Sequence, residues 1–366
     1  MKRISFRNSY EIIRERINSK GYVYCYGSKF IGKSSFFKSY FPELNYVSLK
    51  YNKWKQLLEL DPERFFRKFR VDTLFDEIQE FPGFEQLFMQ YGTETPQNIM
   101  IVSDLPPETE HPGIVRMLPL SARELKNEHL FSFLLEESIW EGGFPRGANS
   151  SYLYYLKQSL QTPSVRVHEK DRIRSFFIKS LQQIDQCLNL KKLADSCEIS
   201  QPTAARWLDL LVQLGLLILL PAWDRDFGKR QSKSPKLYCC DTGLAAHFLG
   251  IRKLEKLAGH PAFSALCNNY YLLEIMKQNL LLEPTKELFY WKESNGHEIP
   301  LLIRNPTSVD IFVFTSRETP FREQHAELDY FDQLSDGLVL SRNVICGAFK
   351  NKIYRDVKWI SWHRIT

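Results

Sequence analysis

The sequence predicts an α/β fold whose N-terminal third is a parallel β-sheet, and three observations support this prediction. Strand-like and helix-like runs alternate through residues 1–125, with polar residues at the strand ends, as in parallel α/β sheets. The glycine-rich segment Gly27-Ser-Lys-Phe-Ile-Gly-Lys-Ser34 lies between a buried strand pattern and a helix pattern. An acidic pair, Asp76 and Glu77, follows another apolar strand-like run. Together these features predict a sheet of the P-loop NTPase type.

The elements of this sheet follow from local patterns. Residues 10–17 alternate apolar and charged side chains at helical spacing, and Gly21 ends that helix. Residues 22–26 form an apolar and aromatic run typical of a buried strand, and a helix pattern follows over residues 33–40. Asp61 and Pro62 are typical of an N-cap and a first helical position. Further strands are predicted at residues 46–49, 73–75, 98–102 and 114–118.

The rest of the chain predicts helices and then a second α/β block. Helices are predicted over residues 171–187 and, as a pair around a short turn, over residues 190–215. Residues 216–221 and 236–240 predict a hairpin. From Pro261 the pattern predicts a helix through Lys277 and then four strands, near residues 288–291, 299–303, 309–314 and 337–340. A chain of 366 residues exceeds one compact core, so we expect several domains.

Composition excludes some classes of protein and leaves others open. Lys and Arg number 49 against 43 Asp and Glu, a net charge of +6 that permits nucleic-acid binding without implying it. The seven cysteines have irregular spacing and form no C-x-x-C pair, which favours buried thiols in a reducing cytosol over a zinc site. We find no apolar signal core and no apolar run of about 18 residues, so we expect a cytoplasmic protein without a membrane partner.

The glycine-rich segment fits G-x-x-x-x-G-K-S, the pattern of a loop that holds nucleotide phosphates. Its glycines let backbone N–H groups turn toward phosphate oxygens, and the following helix adds the positive end of its dipole. Lys33 would reach the β- and γ-phosphates of ATP, and the Ser34 hydroxyl would ligate Mg²⁺. The alternative is a glycine turn with an exposed lysine. The predicted ATP-binding residues are Gly27, Ser28, Lys29, Phe30, Ile31, Gly32, Lys33, Ser34 and Ser35.

Polar residues at two strand ends are the candidate catalytic groups. Asp76 would hold Mg²⁺ and Glu77 would polarise the attacking water, although an acidic pair also fits a solvated helix start. Ser103 ends the next predicted strand and would act as a sensor of the γ-phosphate; the alternative is a turn residue at a strand end. Asp104 beside it adds a further negative charge.

The pattern of apolar and polar residues over 193–215 is typical of a helix-turn-helix. Ser200 is a natural N-cap for the second helix. Gln201, Thr203 and Arg206 would face outward from it and reach a DNA major groove. Residues 224–236 contain five basic and two acidic residues, and Lys229, Arg230 and Lys233 within them are further candidates for phosphate contact. The alternative to DNA contact is that this region packs on the rest of the protein.

As an ordered set, these segments resemble the predicted prokaryotic AAA-superfamily ATPases that carry a C-terminal domain of unknown function. The matching segments are Gly27-Ser-Lys-Phe-Ile-Gly-Lys-Ser34, Asp61-Pro-Glu63, Phe75-Asp-Glu-Ile-Gln79, Phe81-Pro82, Leu118-Pro-Leu-Ser121, Gly142-Gly-Phe-Pro145, Ile199-Ser-Gln-Pro-Thr203, Trp207-Leu208, Lys229-Arg230, Lys233-Ser-Pro-Lys-Leu-Tyr238 and Asp241-Thr-Gly-Leu244. The resemblance implies an ATPase core over residues 1–125, a winged helix over 181–255 and a restriction-endonuclease-like domain over 256–366. Between the first two, the helical patterns predict a lid or linker over residues 126–180.

The chain departs from this family at two places. The family's Ala-Gly-Arg segment corresponds to Pro112-Gly113-Ile114, so an arginine that would stabilise transition-state charge is missing, and we expect slow hydrolysis or an arginine from a partner. The nuclease positions of the family fall on Cys267, Pro300 and Phe312, and Asp310 alone keeps a carboxylate there. One carboxylate cannot build the metal site, so we expect no nuclease activity.

These observations predict an ATP-binding protein and slow Mg-ATP hydrolase that acts as a nucleotide-dependent switch. Association with DNA, with a protein partner or with further copies of the chain is compatible with the sequence. The alternative is a non-catalytic nucleotide-binding regulator or docking module that uses the winged helix for DNA or protein contact.

Overall fold

A computed structural model describes residues 8–69, 71–92, 98–109, 113–127, 130–145, 151–162, 165–225, 227–228, 231–319 and 322–365. Its N-terminal part contains five helices and five strands. The helices are α1 (Tyr10–Lys20), α2 (Lys33–Tyr40), α3 (Asn52–Leu60), α4 (Pro62–Lys68) and α5 (Phe84–Tyr91). The strands are β1 (Tyr22–Tyr26), β2 (Asn45–Ser48), β3 (Thr73–Asp76), β4 (Ile99–Ser103) and β5 (Ile114–Arg116).

These five strands form one parallel sheet in the order β2-β3-β4-β1-β5. Alternate residues of β1 face opposite sides: Val23 and Cys25 pack with α1 and α2, whereas Tyr24 packs with α3, α4 and α5. The sheet is therefore covered on both faces, as its continuous apolar strands predict. β1 lies between β4 and β5, where ligands of open α/β sheets bind beyond the carboxyl ends of the strands.

The middle of the chain is mainly helical and includes one hairpin. The helices are α6 (Ala122–Asn127), α7 (Leu135–Glu141), α8 (Tyr152–Ser159), α9 (Lys170–Ser180), α10 (Leu190–Ser196), α11 (Gln201–Gln213) and α12 (Thr242–Phe248). Strands β6 (Leu217–Leu220) and β7 (Lys236–Cys239) form the antiparallel hairpin predicted from the sequence. Ser200 caps α11 as predicted, because its side chain accepts a hydrogen bond from the Thr203 N–H.

The helix predicted over residues 171–187 is wrong at its C-terminal end. α9 ends at Ser180, a short 3-10 helix covers Leu181–Gln183, and Asp185 has a positive φ of 61°. Ile184 and Cys187 form single bridges to β7, and the Asp185 carboxylate accepts hydrogen bonds from Lys236 and Tyr238, each at 2.8 Å. These tertiary contacts replace the helical ones that local periodicity favours.

The C-terminal block packs two helices on opposite faces of a mixed sheet. The helices are α13 (Phe263–Asn279) and α14 (Arg322–Ser335). The strands are β8 (Leu288–Lys292), β9 (Glu298–Arg304), β10 (Val309–Phe314), β11 (Val339–Cys346), β12 (Lys352–Tyr354) and β13 (Val357–Ser361), in the sheet order β12-β13-β11-β10-β9-β8. Leu328 and Phe331 of α14 contact one face, and Tyr271 of α13 contacts Phe314 on the other. Within the described residues, no helix has the length and apolar character needed to cross a membrane.

Candidate functional site

The predicted phosphate loop joins β1 to α2 at the carboxyl edge of the parallel sheet. At Gly27 a Cβ atom would lie 2.2 Å from the carbonyl oxygen of Met117, so the loop passes β5 at a distance that only glycine allows. Gly32 has φ of 95° and its carbonyl accepts the Phe36 N–H at 2.9 Å, so the second glycine starts α2. Both glycines of the pattern are thus required by the loop's own backbone.

Lys33 is buried inside this loop, with its side chain 5% exposed. Its ammonium donates to the carbonyl oxygens of Gly27 at 2.7 Å and Ser28 at 2.8 Å, and to the carboxylate of Asp104 at 2.9 Å. Lys33 is therefore not the exposed lysine of a glycine turn, which was the alternative prediction from the sequence. A buried ammonium with an anionic partner is a position where a phosphate oxygen would also be favoured.

Asp76 ends β3, and its side chain is buried at the carboxyl edge of the sheet. The Tyr46 hydroxyl donates to one of its oxygens at 2.7 Å, and the Glu77 N–H donates to the other at 2.9 Å. Burial raises the pKa of the Tyr46 hydroxyl, and the neighbouring Asp76 charge raises it further, so this hydroxyl stays protonated and donating. Tyr46 was not predicted as a site residue.

Glu77 has a left-handed backbone with φ of 58°, which turns its carboxylate toward residues that the sequence did not single out. Lys50, which follows β2, lies 2.6 Å from one oxygen, and the Gln79 amide donates to the other at 2.6 Å. Burial raises the pKa of Glu77, and repulsion from Asp104 raises it further. A carboxyl group with a raised pKa is better matched to accepting a proton near neutral pH.

The other predicted residues of this site differ in what they contact. The Ser103 hydroxyl is buried and accepts the Leu105 N–H at 3.0 Å, which is the turn role that the sequence left as the alternative. Ile31 is buried in the core, whereas Ser35 is exposed at the start of α2 beside the half-buried Ser34. Phe30 has φ of 63°, and its ring lies near those of Tyr154 and Tyr155 of α8.

Ser28 connects the loop to the helix-turn-helix region. Its buried hydroxyl donates to the carbonyl oxygen of Gly215 at 2.7 Å. Gly215 lies immediately beyond α11, with φ of 66°, and its N–H donates to the Val212 carbonyl at 3.0 Å. A Cβ atom at Gly215 would lie 2.7 Å from the Ser28 hydroxyl oxygen. The end of α11 is therefore in direct contact with the phosphate loop, a pairing 187 residues apart in sequence.

Four of the predicted DNA-contacting residues lie among the described residues of the middle block. Gln201 and Arg206 of α11 are exposed, as is Lys233. Arg206 forms an ion pair with Glu169, and the Thr203 hydroxyl lies 2.9 Å from that of Ser200. Lys229 and Arg230 lie outside the described residues.

Lys236, counted among the basic residues of this loop, is buried instead. Its ammonium is paired with Asp185 at 2.8 Å and with Glu298. These two carboxylates raise the pKa of Lys236 even though burial alone would lower it. Lys236 therefore does not contribute to the positive charge that the sequence predicts for the surface of this loop.

Two carboxylates lie near the predicted lost nuclease positions: Asp310, which the sequence analysis singled out, and Glu298, two residues before Pro300. Glu298 is paired with Lys236 and with Lys292, whose ammonium lies 2.6 Å away, and this pairing lowers the Glu298 pKa against the effect of burial. Asp310 accepts hydrogen bonds from Asn305 at 3.0 Å and Ser341 at 2.5 Å. These carboxylates are thus bound to protein donors.

Comparisons with known proteins find partial matches. A family model described as a domain of unknown function (DUF8612) matches residues 132–255. The uncharacterized proteins Mb2031c of Mycobacterium bovis and Rv2008c of Mycobacterium tuberculosis are each 35% identical over 112 residues, which cover 31% of this chain and 24% of theirs. The chain therefore spans about a quarter of the length of these relatives.

Three solved structures are similar in part. The Walker-type ATPase PABY2304 of Pyrococcus abyssi has 12% identity and a TM-score of 0.39, and the match covers 66% of this chain and 95% of that one. The STAND protein PH0952 of Pyrococcus horikoshii has 14% identity and a TM-score of 0.30, covering 78% and 50%. Domain III of the replication initiation protein DnaA of Thermotoga maritima has 17% identity and a TM-score of 0.24, covering 55% and 90%. These TM-scores are too low to support an argument from similarity. The N-terminal sheet is therefore interpreted from its strand order and from the geometry of the loop after β1.

Proposed function

We propose that this protein binds Mg-ATP at the loop between β1 and α2, hydrolyses it slowly, and uses the nucleotide state as a switch. The observation that carries the proposal is Lys33, a buried ammonium held by two loop carbonyls and the Asp104 carboxylate. Asp104 contributes an anion at the place where a phosphate would bind. Nucleotide binding would exchange this internal anion for a phosphate oxygen.

The residues around the loop fit ATP and a magnesium ion. The loop offers backbone N–H groups and the N-terminus of α2, which favour a phosphate. The Ser34 hydroxyl and the Asp76 carboxylate are oxygen donors of the kind that Mg²⁺ prefers. The bound ion would supply charge neutralisation for the phosphates. The two donors follow β1 and end β3, respectively, at the same edge of the sheet.

Glu77 is the group proposed to activate water for hydrolysis. The water oxygen would bond to the γ-phosphorus while the bond from that phosphorus to the β,γ-bridging oxygen breaks, giving ADP and phosphate. The proton released from the water would pass to the Glu77 carboxylate. Lys50 and Gln79 each hold one oxygen of this carboxylate, and the Lys50 hydrogen bond lowers its basicity, which is consistent with slow turnover.

The contact between Ser28 and Gly215 supports a switch. A phosphate in the loop would reorient the backbone around Ser28, and Gly215 at the end of α11 would respond because its carbonyl accepts the Ser28 hydroxyl. Movement of α11 would then reach Gln201 at its exposed N-terminus. A nucleotide switch needs an element that can pack in two alternative ways, and we propose α11 as that element.

The element order α9, α10, α11, β6, β7 supports a winged helix as the moving part, with DNA or a protein as its partner. Exposed Gln201 and Lys233 favour DNA, whereas the pairing of Arg206 with Glu169 favours packing within the protein. We infer that the C-terminal block is a restriction-endonuclease-like docking module without nuclease activity. A non-catalytic nucleotide-binding regulator is the second candidate, and the restrained Glu77 favours it.

Phosphate release, measured beside the size of the protein in solution with and without Mg-ATP, tests this proposal. Slow release that is lost in Glu77→Gln, while nucleotide still binds, supports a hydrolytic switch. Binding without release above the Glu77→Gln background supports the regulator. An ATP-dependent change in size would show assembly of further copies, and cleavage of DNA by the pure protein would overturn the assignment of the C-terminal block.

A further inference from the structure

Lys29, the second lysine of the phosphate loop, shares an anionic partner with Lys33. Its ammonium lies 3.8 Å from Oδ2 of Asp104, while that of Lys33 lies 2.9 Å from Oδ1. The side chains of Lys29, Lys33 and Asp104 are 11%, 5% and 13% exposed, respectively. Two ammonium groups thus face one carboxylate in a place largely screened from water.

The carboxylate shared by Lys29 and Lys33 indicates which anion would lie near Lys29 in the nucleotide-bound protein. Asp104 Oδ2 also accepts the Gln79 amide at 3.1 Å, so Lys29, beyond hydrogen-bond distance, is its most weakly held partner. An anion that replaces Asp104 on Lys33 would lie within range of Lys29 as well, because one small carboxylate spans both. The anions that the lysine of such a loop contacts are the β- and γ-phosphates.

We propose that Lys29 contacts the γ-phosphoryl group and stabilises the charge that develops on it during hydrolysis. This inference rests on the proposed function of the loop. The ammonium of Lys29 suits this role, since a cation stabilises the charge on a transferring phosphoryl group. Lys29 carries its charge on a point-like, flexible group and cannot form the bidentate contacts of an arginine, so we expect its contribution to turnover to be smaller than that of an arginine.

The test compares Lys29→Met with the wild-type protein in its affinity for ADP and for ADP with aluminium fluoride, which mimics the transferring phosphoryl group. We expect the ADP affinity to change by less than about threefold and the affinity for the aluminium fluoride complex to fall by about 10- to 100-fold. We expect kcat for phosphate release to fall by a similar factor, with KM nearly unchanged. Lys29→Arg keeps a cation at this position and should retain most of the affinity for the complex.

A matched control removes a lysine with the same separation from a carboxylate elsewhere in the domain. Lys55 lies 3.8 Å from Glu80 and is 26% exposed, so Lys55→Met should leave both affinities unchanged. Equal loss of ADP and of the aluminium fluoride complex in Lys29→Met, or loss of neither, would overturn the role of Lys29 and leave the nucleotide site standing. Failure of the wild-type protein to bind ADP would overturn both proposals, and thermal unfolding of each variant checks that it is folded.

Discussion

Replacing Asp104 by Asn removes the negative charge that holds Lys33 and should strengthen nucleotide binding. Asn keeps the shape of the side chain and one carbonyl oxygen that can still accept from the Lys33 ammonium, now as a neutral acceptor. The Asp104 backbone N–H donates to the Gln79 side-chain carbonyl at 3.2 Å, and this contact does not depend on the charge. With the Asn oxygen facing Lys33, the Asn amide nitrogen replaces Oδ2, so the hydrogen bond that Oδ2 accepts from the Gln79 amide is lost. The substitution therefore changes the electrostatics of the loop while keeping the volume of the side chain.

The expected magnitude follows from the burial of this ion pair. The Lys33 and Asp104 side chains are 5% and 13% exposed, and a hydrogen bond to a charged group contributes about 1.5–3 kcal/mol. A neutral amide retains roughly half of that, so the nucleotide-free state would lose about 0.8–1.5 kcal/mol of stabilisation that binding must otherwise overcome. We expect Mg-ATP to bind about 4- to 12-fold more tightly to Asp104→Asn, because 1.4 kcal/mol corresponds to a factor of ten.

Titration calorimetry with Mg-ATP measures this change directly. The matched control is Asp72→Asn: the Asp72 carboxylate accepts the backbone N–H and the side-chain amide of Asn98, both at 3.1 Å, at the opposite end of the sheet. That variant should lose stability without a change in affinity. Weaker binding of Mg-ATP to Asp104→Asn would refute the exchange of Asp104 for phosphate.

Three further predictions concern the contact of Ser28 with Gly215, the proposed catalytic carboxylate Glu77, and the buried Lys236. Ser28→Ala leaves the buried Gly215 carbonyl without its donor, which should lower the free energy of unfolding by about 1–3 kcal/mol in urea titrations. Phosphate release should fall on acidification at a pH above that expected for an exposed glutamate, because the pKa of Glu77 is raised, and Asp104→Asn should move this fall to lower pH. Lys236→Met removes the buried ammonium between Asp185 and Glu298, which keep Tyr238 and Lys292 as donors, and should lower the free energy of unfolding by about 3 kcal/mol, with nucleotide affinity unchanged.

The phosphate loop could be predicted from sequence because its chemistry is local. The spacing of Gly27, Gly32 and Lys33 fixes the backbone turn, and the adjoining strand and helix patterns place it. Lys50 was not predicted, because its contact with Glu77 depends on β2 lying beside β3, a pairing that local pattern does not specify. Strand-end position was the one available signal: Lys50 follows β2 closely, and Asp104 directly follows β4.

Elements with little buried surface were also missed. β12 (Lys352–Tyr354) is exposed throughout, so it leaves no alternation of apolar and polar residues to detect. In α14, burial is limited mainly to Leu328 and Phe331, a stripe too sparse to predict a helix. The contact of Gly215 with the phosphate loop could not be anticipated, because it depends on how distant parts of the chain pack together.

The most direct test of the account is the binding of Mg-ATP to the wild-type protein and to Lys33→Ala, measured by calorimetry on samples with matching circular dichroism spectra. We predict saturable binding by the wild-type protein and at least about tenfold weaker binding by the variant, because the variant lacks the charge-assisted contact to phosphate. Absence of binding by the folded wild-type protein, or equal affinity in the two proteins, would contradict a nucleotide site at this loop.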